Sequence, residues 1–161
     1  MKGLEFAIQM ELDGEKYYLQ QAELNQDNGL KTVFLMLAQD EKKHAEVLKS
    51  RFAKSEYALE ENEKLNNISS IFDGIGDYRE AIKAKPAQLD LYRAALDNEQ
   101  QSIDLYKKGL EEASEPEEKA LYEFLVKEET SHYQIIEEII QYIKRTDDWV
   151  ESAEFGKREE Y

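Results

Sequence analysis

The sequence predicts an all-α protein, a four-helix bundle built from two repeated helical hairpins that are joined by a long crossover and followed by a short C-terminal tail. Three observations predict it. Charged residues make up 35% of the chain and only seven glycines and two prolines interrupt it, a composition that favours helix. Apolar residues recur at helical spacing along four long segments. The first pair of segments also maps onto the second at one constant offset: Ala7 onto Ala95, Glu11 onto Glu99, Tyr18 onto Tyr106 and Glu23 onto Glu111. Duplication of one hairpin accounts for that correspondence.

The first helix is expected over about residues 2–25, where Leu4, Ala7, Ile8, Leu12, Tyr18 and Ala22 form a stripe with Glu11 inside it. "NQDNG" supplies a turn, with Gly29 free to take a positive φ. The second helix, about residues 30–54, carries Val33, Phe34, Leu37, Ala45 and Leu48 on the face that also holds Glu41 and His44. Residues 55–85 have a different texture and form the crossover, with a short helix expected from Asp77, where Asp-x-x-Glu resembles a capping box. Pro86 suits the first turn of a third helix over about 86–113. In "ASEPEE", Ser114 is placed to cap and Pro116 to open the fourth helix, about 116–145, with residues 146–161 left as a tail. A crossover able to travel the length of the bundle makes the second and third helices parallel.

At 161 residues the chain is large enough for one domain with a real core. Its formal charge of −15 argues against a nucleic-acid partner and against an anionic membrane surface. With no cysteine, it has no disulfide, thiolate metal site or cysteine nucleophile. No apolar run approaches a membrane span and "MKGLEFAIQMELDG" lacks a signal-peptide core, so a soluble cytoplasmic protein is expected.

The polar residues inside the apolar stripes carry the chemistry. Both histidines of the chain follow a glutamate by three residues, Glu41 before His44 and Glu129 before His132. Glu11 precedes Glu41 by 30 residues, as Glu99 precedes Glu129. The midpoint of each pair falls in a turn, so each hairpin brings its glutamate level with a Glu-x-x-His whose two side chains share a face. Four carboxylates and two imidazoles then converge inside the bundle. Bare, such carboxylates would protonate rather than stay charged; two divalent cations neutralise them. Glutamate from two helices and Glu-x-x-His from the other two is the pattern of a carboxylate-bridged dimetal site. Oxygen and imidazole donors suit Fe or Mn, with zinc left open on ligand type alone.

With the matching residues "AIQMELDGEKYY", "DEKKH", "ALDNEQQSIDLY" and "EETSH", residues 4–145 resemble the rubrerythrin and ferritin-like diiron-carboxylate family. The resemblance implies a ferritin-like bundle, with Glu11 and Glu99 as terminal ligands, Glu41 and Glu129 as bridging ligands, and His44 and His132 as one nitrogen ligand per metal. It also implies that Tyr18 and Tyr106 hydrogen-bond a bridging carboxylate and that Asp40 and Glu128 orient the opposite histidine. The implied cofactor is two Fe ions, with Mn or mixed metals open, and the implied reaction is reduction of peroxide or O2 with electrons from a separate donor protein. A homodimer is expected. Three departures stand out: Ser102 sits where rubrerythrins carry a further glutamate, no cysteine-ligated rubredoxin module is present, and Lys42 replaces the haem-binding methionine of bacterioferritins, so no haem is expected. Iron storage by a ferroxidase, or a metal-stabilised helical module without catalysis, are the alternative readings.

Overall fold

The computed structural model describes residues 2–26, 29–72 and 88–156. Its elements are α1 (Lys2–Leu24), α2 (Leu30–Phe52), a 3-10 turn (Glu63–Asn66), α3 (Ile68–Phe72), α4 (Gln88–Glu112) and α5 (Pro116–Gly156). The protein is an all-α bundle, and no strand occurs among the described residues. None of the described helices is long and apolar enough to cross a membrane. The helix expected from Asp77 and the start expected at Pro86 lie outside the described residues.

Local chemistry sets the helix ends. α2 stops at Phe52 rather than near residue 54, because Lys54 takes a left-handed φ of 56°. The Ser55 amide then bonds the Ser50 carbonyl at 2.9 Å and the Lys54 amide bonds Arg51 at 3.1 Å, the paired bonds of a Schellman ending. Gly29 does not use the positive φ expected of it: with φ −65° and ψ −15° it opens α2 instead of closing α1. Pro116 is the first residue of α5, but Glu115 rather than Ser114 stands ahead of it, its carbonyl accepting from the Lys119 amide at 3.0 Å. α5 also does not end at Arg145 in a tail; it runs on to Gly156, since no glycine or proline interrupts the segment and "TDDWVESAEF" reads as helix as readily as loop.

α1 packs chiefly on α2, and α4 on α5. Across the bundle, Tyr18 on α1 bonds Glu99 on α4 while Tyr106 on α4 bonds Glu11 on α1, so those two helices run antiparallel. Asp40 on α2 meets His132 on α5, and His44 meets Glu129, so these two are antiparallel as well. With α1 and α2 paired as a hairpin, α2 and α4 are parallel, the arrangement the crossover requires.

The core falls into two apolar clusters. One end is filled by Leu30, Phe34, Leu37, Tyr92, Ile136 and Ile139, with Leu65 of the crossover packed into it. The other end is filled by Ala7, Leu48, Tyr106, Leu121 and Leu125. Between these two plugs lies a buried polar layer.

Candidate metal centre

Each long helix contributes to that layer at mid-height: Glu11 from α1, Glu41 and His44 from α2, Glu99 from α4, and Glu129 and His132 from α5. None of the six is more than 4% exposed. One donor atom from each of Glu11, Glu41, His44 and Glu129 lies within 4.8 Å of the others, and the same holds for Glu41, Glu99, Glu129 and His132. Glu41 and Glu129 belong to both sets. Each histidine turns Nδ1 inward. For His44 it is 2.9 Å from Glu129 Oε1 and 3.5 Å from Glu11 Oε2; for His132 it is 3.0 Å from Glu41 Oε1 and 3.4 Å from Glu129 Oε2. The two rings lie nearly parallel, 5.7 Å apart.

The donor set fits a pair of cations. Oε2 of Glu11, of Glu99 and of Glu129 is buried with no hydrogen-bond partner. Buried carboxylate oxygens of this kind are strongly disfavoured unless something positive meets them. The two overlapping sets offer four donors each, oxygen and imidazole nitrogen, with two carboxylates placed to be shared.

A second ring of side chains holds the first. The Tyr18 hydroxyl donates to Glu99 Oε1 and the Tyr106 hydroxyl to Glu11 Oε1. This corrects the expectation that the tyrosines bond the shared carboxylates Glu41 and Glu129. The reason is register: Tyr18 lies two turns beyond Glu11 on α1, and antiparallel α4 brings the Glu99 carboxylate within reach of its hydroxyl. Asp40 Oδ2 is 3.0 Å from His132 Nε2, on the side of the ring away from the centre. Glu128, its equivalent in the second half, accepts instead from the backbone amide of Asn62 at 3.2 Å.

The sequence model for the family called Rubrerythrin matches residues 2–140. The chain belongs to the rubrerythrin family. No curated protein matches it. Among solved structures, the crystal structure of an uncharacterized conserved protein from Magnetospirillum magnetotacticum is similar, with a TM-score of 0.58 at 21% identity over 87% of this chain and 92% of that one. At that identity the likeness concerns the fold alone.

In this rubrerythrin-family site the electrostatics follow from crowding. Burial, then the charges of Glu129 and Glu11, push the Glu41 carboxyl well above its ordinary range. Burial and Glu129 do the same to Glu99. Burial alone would depress the histidines, but hydrogen bonds to Glu11 and Glu129 raise His44 to about 10, and those to Asp40, Glu129 and Glu41 raise His132 well above its usual value. Glu129 is opposed by burial, yet the two histidines hold it well below the carboxylate range. Without ions, therefore, Glu41, Glu99 and the two histidines retain protons that a metal would have to displace.

A cavity of about 260 Å³ between α1 and α4 reaches Glu41 and Glu99 from the surface. Gly14 and Ser102, equivalent positions of the two halves, both line it, and exposed Phe6 stands at its mouth. A Cβ on Gly14 would come within 3.3 Å of Glu41 Cδ, so the glycine gives this carboxylate its room. Ser102 Oγ is spent on the Asn98 carbonyl at 3.1 Å and on Met10 Sδ at 3.4 Å.

Two residues of the site escaped the sequence reading. Gly14 had a signal, since a glycine inside a helical pattern generally marks close packing. Asn62 had none: it lies in the crossover, where no periodicity ties it to the ligands.

Proposed function

We propose that this protein is a dimetal oxidoreductase that reduces hydrogen peroxide, with Glu41 and Glu129 bridging two ions, Glu11 and Glu99 as terminal ligands, and His44 and His132 each supplying one nitrogen. The observation that carries the reading is the pair of overlapping four-donor sets sharing Glu41 and Glu129. Two iron ions are the proposed load, and they would supply the redox equivalents that cleave an O–O bond; manganese is compatible with the same donors.

The protein's own part is binding, orientation and exclusion of water. The two apolar plugs close the layer at both ends. The cavity beside Gly14 and Ser102 supports a small oxidant over a bulky substrate. Tyr18 and Tyr106 hold Glu99 and Glu11 in place, and burial keeps both phenols protonated as donors. Reduction of one peroxide to two waters takes two electrons and two protons. Since the chain has no cysteine to hold an electron-transfer cluster, a separate donor protein supplies the electrons.

The test is anaerobic loading with Fe(II), counting ions per chain, then stopped-flow mixing with hydrogen peroxide. Two ions per chain, oxidised faster than free Fe(II) and in a peroxide-saturable manner, are expected. Oxidation no faster than that of free iron would overturn the assignment.

A further inference from the structure

We infer that Asn62 is a positioning residue through which the crossover sets the His132 ring, so that it governs one metal position and not the other. The inference rests on the dimetal reading above. Asn62 lies outside both hairpins, just before the 3-10 turn. Its side-chain NH2 donates to both oxygens of Asp40, each at 3.0 Å. Asp40 Oδ2 is in turn 3.0 Å from His132 Nε2, and His132 Nδ1 faces the carboxylates. Asn62 thus holds the carboxylate that holds the imidazole.

The same residue touches the equivalent carboxylate of the other half by a different group. Its backbone amide donates to Glu128 Oε1 at 3.2 Å. Its remaining polar atoms are also engaged: Oδ1 accepts from the Lys64 amide at 3.1 Å, and its carbonyl from the Leu65 amide at 3.0 Å. Leu65, 6% exposed, anchors the segment in the core. The other nearby tie, Lys127 to Glu61 at 2.8 Å, is a solvent-exposed ion pair and fixes little.

The asymmetry gives the inference its content. A side-chain substitution at position 62 leaves the amide to Glu128 intact but removes the NH2 that pins both Asp40 oxygens. Asp40 is then free to rotate away from His132. Among the two four-donor sets, His132 belongs only to the one with Glu41, Glu99 and Glu129. The ion in that set loses an oriented ligand, while the ion held with Glu11 and His44 does not.

The experiment is Co(II) titration of the full chain, followed by visible absorbance, for the natural protein, Asn62→Ala and Asn62→Asp. The aspartate variant keeps an acceptor for the Lys64 amide and replaces only the NH2, so it separates positioning from loss of the turn. In both variants one Co(II) should bind about 10–100-fold more weakly and the other unchanged. In the Co(II) protein the hyperfine-shifted Nε2–H signal of His132 should exchange with solvent faster in the variants, and that of His44 should not. Equal weakening of both ions, or none, overturns the inference alone. Failure of the natural protein to bind two Co(II) overturns the dimetal reading and this inference with it.

Discussion

The Tyr18 hydroxyl donates its hydrogen bond to Oε1 of Glu99, a residue on the facing helix of the other hairpin. The bond matters because Glu99 is 4% exposed and its second oxygen has no partner. Tyr18→Phe keeps the ring packed near Phe34 but leaves Glu99 without this donor. The metal-free variant should lose about 1–3 kcal/mol of stability, the range for a buried polar group deprived of its partner. Urea unfolding of the chelated protein measures this, and an unchanged midpoint would show that the bond contributes nothing.

Two glycines within the long helices should respond to alanine in opposite ways. Helix propensity alone would make each replacement stabilising by about 1 kcal/mol. At Gly109 the new Cβ would lie 2.7 Å from the Tyr122 ring, so overpacking should win and destabilise by about 1–3 kcal/mol. At Gly14 the Cβ would press at 3.3 Å on Glu41 Cδ, the end of a side chain that can give. Gly14→Ala should therefore leave the metal-free melting temperature unchanged or higher while weakening metal binding. A loss of both together would mean that the helix, not the carboxylate, takes the strain.

Chelation should lower the melting temperature, and the metal-free protein should become less stable as pH rises. Folded His44 keeps its proton up to about pH 10, whereas in the unfolded chain it releases it near the ordinary histidine value of 6.5. Its contribution is complete below pH 6.5 and is lost as pH climbs toward 10. The raised values of His132, Glu41 and Glu99 act in the same direction. Metal ions displace these protons, so Zn(II) binding should release protons, detectable with an indicator dye, and its affinity should rise with pH. At a free-ion concentration about 100 times Kd, the folded state gains about 2.7 kcal/mol per ion. A melt insensitive to chelator would contradict a buried, occupied pair.

The six convergent side chains were legible because the signals that carry them are periodic. A glutamate inside an apolar helical stripe, repeated at the same spacing in a second hairpin, identifies a polar layer before any coordinates are known. The helix ends were less legible. Lys54 in a left-handed conformation and the helical dihedrals of Gly29 reverse the usual preferences, because the Schellman bonds and the start of α2 settle those positions. The run of α5 past Arg145 was missed for a different reason: basic residues and two aspartates suggest an end there, but without glycine or proline nothing stops the helix.

By itself the sequence determined the all-α class, the duplicated hairpins and which six residues face inward, since periodicity fixes the face a side chain takes along its own helix. Tertiary structure alone decided who meets whom. Antiparallel packing of α1 on α4 gives Tyr18 to Glu99 and Tyr106 to Glu11, and docking of the crossover brings Asn62 between Asp40 and Glu128. Those pairings depend on the relative height of helices and on a segment without period, and local sequence carries no record of either.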